Sequence, residues 1–188
     1  MGWHDDKRSD LYGACGKGEN GLMARHVRIF VLLGQGGAFF SGGMLDLARR
    51  LKTLGNTIVT THEWSDVQTV HDMAKQIPPR TALVFIGFSL GANSTTSVAW
   101  ALAYNEPRVV DLIVGYDPSR FWGSVIMPIR QNVKRTICYW NKNAWTFGGQ
   151  KMTGHNVEVV EINKIHLLVA SDAVLHDRTI AAVKQLME

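Results

Sequence analysis

The stretch that most constrains the fold is residues 82–94, where a continuous apolar run meets a serine flanked by glycines. The run ends in the pattern G-x-S-x-G over residues 87–91, and small, helix-tolerant residues follow it. This order predicts a buried strand, a tight turn that carries Ser89, and a helix. Glycines on both sides of the turn let the strand and the helix pass close to one another. The serine hydroxyl would then stand clear of the sheet, beside helix N–H groups that stabilise developing negative charge.

Length and composition predict one globular domain and exclude several classes of protein. The chain has 188 residues, of which 46% are hydrophobic and 19% charged, enough for one sizeable core. The net charge of +4 is modest and the basic residues are scattered, so no nucleic-acid groove is predicted. No apolar run approaches the roughly 20 residues that span a bilayer, so no integral membrane segment is predicted.

The first residues differ from the rest of the chain. Residues 1–25 carry mixed charges and lack the apolar core of a secretory signal, so we expect a disordered or extended segment and a cytoplasmic location. Residues 26–188 are predicted to form the single domain.

The remaining chain alternates between apolar runs and amphipathic stretches. The apolar runs are continuous rather than alternating, which is typical of strands covered on both faces. Such alternation predicts an α/β fold, a three-layer α/β/α sandwich with a mostly parallel six-stranded sheet. We expect Ser65 to start the second helix and Ser171 to cap the last one. The predicted strands are 26–33, 57–61, 81–88, 109–116, 134–140 and 156–162, and the predicted helices are 44–54, 65–77, 92–104 and 171–186.

Chemically suggestive residues follow four of the predicted strands. The glycine-rich loop 34–37 follows the first strand, Ser89 the third, Asp117 the fourth and His166 the sixth. Because functional side chains gather at the carboxyl ends of parallel strands, we expect these residues to lie close together. A serine, an aspartate and a histidine in that chain order are typical of enzymes that carry their nucleophile on a strand–turn–helix.

On these residues the sequence resembles a minimal α/β-hydrolase of the bacterial esterase or lipase kind, of cutinase-like size. The resemblance covers residues 26–187 and rests on the glycine-rich loop, the 87–91 pattern, Gly-Tyr-Asp-Pro at 115–118 and Ile-His at 165–166. It implies the minimal α/β-hydrolase fold, without the first two antiparallel strands of larger members.

The resemblance also implies roles for individual residues. Ser89 would be the nucleophile, His166 the general base, and Asp117 the acid that orients the imidazole. The backbone N–H groups of Leu90 and Gln35 would form the oxyanion hole.

Other histidines and aspartates compete for these roles. A base must reach over the carboxyl edge of the sheet, which favours His166 over His155 and His176. Asp111 begins the fourth predicted strand, at the opposite edge, and is expected to be structural. Asp172 is expected to place a favourable charge at a helix N-terminus.

Aromatic residues are frequent on the loops expected to face the site. As a group they predict an apolar wall for an acyl chain. Residues 119–132, which include Phe121 and Trp122, are a candidate flap over the site. The histidines do not have metal-ligand spacing with carboxylates, so neither a metal nor a cofactor is predicted. The candidate substrate-binding residues are Phe39, Phe88, Phe121 and Trp122, and Phe40, Trp145 and Phe147 lie on the same loops.

These observations predict a serine hydrolase that cleaves a small-molecule carboxylic ester or thioester through an acyl-enzyme. A non-catalytic ligand- or partner-binding protein of the same fold is an alternative, because the family often has His-Gly where this chain has Leu33-Gly34. An acyltransferase would use the same acyl-enzyme and is a further alternative. The oligomeric state is left open by the sequence.

Overall fold

Six parallel strands form one continuous sheet within the described residues of the computed structural model, which are 24–104, 108–121, 124–142 and 147–188. The strands are β1 (Val27–Leu32), β2 (Thr57–His62), β3 (Ala82–Phe88), β4 (Leu112–Tyr116), β5 (Thr136–Asn141) and β6 (Val157–Ile162). They lie in the order β2-β1-β3-β4-β5-β6, and each neighbouring pair is parallel. This confirms the predicted sheet.

Helices cover both faces of the sheet, which confirms the predicted three layers. The helices are α1 (Gly42–Lys52), α2 (Val67–Lys75), α3 (Leu90–Leu102), α4 (His166–Val169) and α5 (Ala173–Lys184). Along β1 the side chains alternate, since successive residues of a strand point to opposite faces. Ile29 and Val31 pack in the core beneath α1 and α5, whereas Phe30 and Leu32 pack beneath α2 and α3.

The two helix starts that were predicted at serines are wrong by one or two residues. Asp172, rather than Ser171, caps α5, and its carboxylate accepts two backbone N–H groups of the first turn. A carboxylate also carries the negative charge that a helix N-terminus favours, which the serine hydroxyl lacks. The second helix, α2, begins at Val67 after Asp66, so Ser65 lies in the preceding turn. The Asp66 carboxylate accepts the Glu63 N–H rather than an N–H of the helix.

The beginning of the described chain is held by the body of the fold. Residues 1–23 lie outside the described residues, so the expected disorder of that segment stays a prediction. Arg25 donates its backbone N–H to the Met187 carbonyl and forms an ion pair with Asp111. None of the helices in the described ranges combines the length and the apolar character needed to cross a bilayer.

Asp111 organises the amino edge of the sheet, opposite to the strand ends that carry Ser89 and His166. Its side chain is 1% exposed and accepts hydrogen bonds from the Leu83 N–H (2.9 Å), Lys134 Nζ (2.8 Å) and the Arg25 guanidinium (3.0 Å). Burial by itself would raise the pKa of Asp111, but the donors Lys134, Leu83 N–H and Arg25 together outweigh it and lower the pKa. The expected structural role of Asp111 is confirmed.

We expect Asp111→Asn to lower the free energy of unfolding by about 1–3 kcal/mol at neutral pH, because buried donors lose a charged acceptor. Since the folded-state pKa is lowered, the stabilisation is complete above the unfolded pKa of about 3.9 and disappears as the pH falls through the folded pKa. The difference between wild type and variant should therefore shrink below about pH 4. Urea unfolding at several pH values measures it.

Asp46→Asn is the matched control, because Asp46 pairs with Arg49 on the exposed surface. Its effect should stay within about 0.5 kcal/mol at every pH. Equal losses in the two variants would contradict the structural importance of Asp111.

Candidate active site

Ser89 lies in a strained turn directly between β3 and α3. Its backbone adopts φ 55° and ψ −122°, and α3 starts at Leu90, two residues earlier than predicted. A Cβ atom at Gly87 would overlap the backbone of Gly91, and one at Gly91 would overlap the Leu32 carbonyl. The two glycines of the pattern are therefore required by the close packing of β3, α3 and β1.

His166 links Ser89 to Asp117 in one hydrogen-bonded chain. Nδ1 of His166 lies 2.7 Å from Asp117 Oδ2, and Nε2 lies 3.0 Å from Ser89 Oγ. A carboxylate only accepts hydrogen bonds, so the imidazole proton belongs on Nδ1 and Nε2 is left to accept from the serine hydroxyl. The structure thus brings together the three residues that sequence reasoning selected, in an arrangement that can take a proton from Ser89.

The Asp117 carboxylate is held by the last residue of β5 and by the loop that follows β5. Its Oδ1 accepts the backbone N–H of Gly149 at 2.8 Å and that of Asn141 at 3.3 Å, and its side chain is fully buried. Asp117 itself has a φ of 43°, which a non-glycine residue rarely adopts. The role of this loop was missed by sequence reasoning, and its glycines were the available signal.

The imidazole of His166 is fixed by packing as well as by hydrogen bonds. The ring of Phe88 stacks on it with centroids 4.9 Å apart and planes 27° from parallel. The Asn141 side-chain amide donates to the Lys164 carbonyl and so ties the end of β5 to the segment that carries the histidine. Phe88 therefore lies behind the histidine and supports it.

Two backbone N–H groups beside Ser89 are free to bind an anion. Within the part of the chain that the structure describes, the N–H groups of Gln35 and Leu90 have no intramolecular acceptor. The N–H of Gly34 is already taken, because it donates to Ser41 Oγ at 3.0 Å. The positions of Gln35 and Leu90 fit the predicted oxyanion hole, which stays a prediction.

The segment after Asp117 is anchored to α3. The buried Asn93 side chain accepts the Ser119 N–H at 2.9 Å and donates to the Ser119 carbonyl at 3.0 Å. Ser119 Oγ in turn accepts the Phe121 N–H, and Thr96 Oγ1 accepts the Met127 N–H, both at 3.0 Å. The described part of the candidate flap is thus hydrogen-bonded to α3 at both Ser119 and Met127.

The cleft beside Ser89 receives some of the predicted aromatic residues. Phe121 lines it, whereas Phe39 is 86% exposed and is not among its lining residues. Trp122 and Trp145 lie outside the described residues. The part of the cleft next to Ser89 measures about 490 Å³ and is lined by Gln35, Gly36, Phe40, Ser89, Ser119, Phe121 and Phe147.

The two alternative candidates for the general base, His155 and His176, make other contacts. His176 is buried in α5 and its Nε2 bonds to the Ala170 carbonyl at 2.8 Å. The backbone of His155 pairs with Ile129, away from Ser89. Across the described ranges, no group of three or more His, Cys, Asp or Glu side chains is arranged to hold a metal ion.

Comparison with known proteins finds the same fold at low sequence identity. No family model and no curated sequence matches the chain. The thioesterase RedJ of the prodiginine pathway in Streptomyces coelicolor is 12% identical, with 87% of this chain and 91% of that one covered and a TM-score of 0.61. Human thioesterase 2 is 9% identical, with 86% and 98% covered and a TM-score of 0.58.

An α/β serine hydrolase without a lid from Xanthomonas campestris is 15% identical, with 87% of this chain and 84% of that one covered and a TM-score of 0.54. At such identities the likeness shows the fold. The chain therefore has the α/β-hydrolase fold.

Gly148 packs directly against the Asp117–His166 hydrogen bond, since a Cβ atom there would overlap Asp117 Oδ2 and His166 Nδ1. We expect Gly148→Ala to force the two side chains apart. The Nδ1–H proton should give a low-field NMR signal in the wild type, because it is buried and hydrogen-bonded, and the signal should disappear in the variant.

Gly42→Ala is the control, because a Cβ atom at Gly42 meets nothing within 4 Å. Its low-field spectrum should match that of the wild type. An unchanged signal in Gly148→Ala would contradict the close packing around this hydrogen bond.

Proposed function

We propose that this protein, whose fold is that of the α/β hydrolases, is a serine hydrolase that cleaves a carboxylic ester or thioester. The observation that carries the proposal is the hydrogen-bonded chain from Ser89 Oγ through His166 to the buried Asp117 carboxylate. Ser89 Oγ lies 3.0 Å from His166 Nε2, and His166 Nδ1 lies 2.7 Å from Asp117 Oδ2. These distances are those expected of a nucleophile, its base and the group that orients the base. This alignment favours catalysis over a non-catalytic binding protein of the same fold.

In the first half of the reaction Ser89 Oγ attacks the carbonyl carbon while His166 Nε2 takes the hydroxyl proton. The carbonyl electron pair moves onto oxygen, and the N–H groups of Leu90 and Gln35 stabilise the resulting oxyanion. When that electron pair returns, the bond to the leaving group breaks. The leaving group takes the proton from Nε2, and the acyl group stays on Ser89. Asp117 stabilises the imidazolium throughout and itself stays ionised.

In the second half a water molecule replaces the leaving group. His166 Nε2 takes a proton from the water as its oxygen attacks the acyl carbon. Collapse of the second oxyanion releases the carboxylic acid and returns the proton to Ser89 Oγ. An acyltransferase would differ only in passing the acyl group to another acceptor.

The structural neighbours support this reaction class. RedJ and human thioesterase 2 are thioesterases, and the Xanthomonas campestris protein is a serine hydrolase. All of them are similar in fold to this chain. The small-molecule acyl substrate and the cytoplasmic location stay predictions.

A fluorophosphonate probe tests the nucleophile. We expect intact mass spectrometry to show one adduct on the wild type and none on Ser89→Ala, because the activated hydroxyl attacks phosphorus as it would attack a carbonyl carbon. An unlabelled wild type with a normal thermal unfolding transition would contradict the proposal, as would equal labelling of the variant.

Asp117→Asn tests the acid. We expect kcat for p-nitrophenyl acetate to fall by roughly 10³–10⁴, because the amide no longer favours the tautomer with its proton on Nδ1. Asp111→Asn, which removes a buried carboxylate at the opposite edge, should retain kcat while losing stability. If both variants lost kcat equally, the effect would be one of folding and the assignment of Asp117 would be wrong.

A further inference from the structure

Ser41 lies directly before α1 but does not cap that helix with its side chain. Its carbonyl accepts the N–H groups of Met44 and Leu45 at 2.8 and 3.3 Å, as the residue before a helix should. A serine at this position ordinarily also uses its hydroxyl oxygen for a free N–H of the first turn. Here Oγ instead accepts the N–H of Gly34 at 3.0 Å, and the residue is fully buried. The hydroxyl is therefore used on the loop that follows β1 rather than on its own helix.

This hydrogen bond closes residues 34–41, which we call the Gln35 loop. The Gly34 carbonyl accepts the Gly37 N–H at 3.0 Å, and Gly36 has the φ of 81° and the ψ of 7° that the third residue of a type II turn requires. The Gly37 carbonyl in turn accepts the Ser41 N–H at 3.0 Å. Both peptide groups of Gly34 are thus fixed, the one before it by Ser41 Oγ and the one after it by Gly37.

The fixed peptide between Gly34 and Gln35 sets the direction of the Gln35 N–H. In a planar trans peptide the carbonyl and the N–H point in opposite directions. Because the Gly34 carbonyl points into the turn, toward Gly37, the Gln35 N–H points out of it. Gln35 also lines the cleft beside Ser89, and its N–H has no acceptor in the described part of the chain. This N–H is one of the two proposed oxyanion donors.

Ser41 connects the surroundings of the nucleophile to the helix that carries the candidate base. A Cβ atom at Gly34 would come within 3.2 Å of Ser89 Cβ, so the Gly34 backbone packs against the nucleophile. The start of α1 is itself seated closely, since a Cβ atom at Gly43 would overlap the backbone of Ala170. Ala170 directly follows α4, which carries the base. Through Ser41 the Gln35 loop is therefore held by the same part of the fold as the base.

We infer that Ser41 is a positioning residue for the reaction proposed above: its hydroxyl holds Gly34 so that the Gln35 N–H points at the oxyanion. The inference rests on the proposed function. Ser41 is fully buried and is not among the residues that line the cleft, so it acts through the loop and does not touch the substrate. Donors stabilise an oxyanion most when they are already aimed at it, because no free energy is then spent on reorienting them.

Ser41→Ala tests this role, because it removes the acceptor of the Gly34 N–H. We expect kcat for p-nitrophenyl butyrate to fall roughly 10- to 100-fold, less than the roughly 10²–10³ that loss of a whole oxyanion donor costs. KM should change by less than about twofold, because the ground-state carbonyl makes little use of these donors. Burst kinetics separates acylation from deacylation, and both rates should fall, since each step passes through an oxyanion.

Two further variants at this position separate the hydrogen bond from packing. Ser41→Cys fills the same buried space, but sulfur is a weak acceptor, so kcat should fall as in Ser41→Ala. Ser41→Thr keeps the hydroxyl and should recover most of the wild-type kcat. Thr57→Val is the matched control, because it deletes a hydroxyl that donates to the Leu51 carbonyl at 2.7 Å, near the other end of α1. It should lower the unfolding temperature and leave kcat unchanged.

A transition-state analogue gives a measurement that a purely structural role would not change. When an alkyl trifluoromethyl ketone binds, Ser89 Oγ forms a bond to the carbonyl carbon, its proton passes to His166 Nε2, and the carbonyl electron pair moves onto oxygen. The adduct therefore carries the oxyanion. We expect its inhibition constant to rise in Ser41→Ala and Ser41→Cys by the factor by which kcat/KM falls. On adduct formation the Gln35 amide proton should move downfield in the NMR spectrum of the wild type, and less so in these two variants.

Wild-type values of kcat and of the inhibition constant in folded Ser41→Ala and Ser41→Cys would overturn the inference. A raised KM with an unchanged kcat would overturn it as well, as would an equal loss of kcat in Thr57→Val. All of these comparisons require Ser89-dependent turnover by the wild type. A wild type that neither hydrolyses the ester nor reacts with the fluorophosphonate probe would instead count against the proposed function.

Discussion

The close approach of α3 to the ends of β1 and β3 is the constraint on which the site depends. The backbone of Gly91 lies against the Leu32 carbonyl, and Gly87 lies against Gly91, so neither position has room for a side chain. Ser89 is held between them in a conformation that costs of the order of 1–3 kcal/mol. The packing of two buried elements imposes that conformation, and the hydroxyl is thereby fixed beyond the end of the sheet.

Burial of the Asp117 carboxylate is the second constraint on the site. A buried carboxylate is unfavourable unless donors surround it. The order of strands provides these donors, because β5 lies beside β4: Asn141 at the end of β5 and Gly149 in the loop after it donate their backbone N–H groups. The third donor is His166, so the same contacts that stabilise the carboxylate also orient the histidine.

The two edges of the sheet have different roles: the amino edge holds a buried ion-pair network, and the carboxyl edge holds the candidate active site. At the amino edge Asp111 joins Arg25, Lys134 and the Leu83 backbone, which ties the start of the described chain to the sheet. At the carboxyl edge the chain leaves β1 and β3 in opposite directions, toward β2 on one side and β4 on the other. A crevice opens where neighbouring strands diverge in this way, and Ser89 with the Gln35 loop lies at that crevice.

Much of the fold could be predicted from the sequence, because its strands, helices and central turn depend on local properties. Continuous apolar runs need cover on both faces, and two glycines around Ser89 allow the turn that other residues would block. The chain order placed Asp117 and His166 after strands that end at the same edge. The helix starts were less predictable. Asp66 and Asp172 each directly follow a serine, and either residue of such a pair can occupy the position before the first turn of the helix.

The sequence by itself therefore determined the layers of the fold and the types of residue that meet at one edge of the sheet. Only the tertiary structure decided the contacts among them, because His166 and Ser89 are 77 residues apart and meet only when β3, β4, β5 and β6 pair in one sheet. The backbone donors to Asp117 and the placement of Gly148 against its hydrogen bond are of the same kind. They depend on distances between separate loops, and no local pattern of residues specifies such distances.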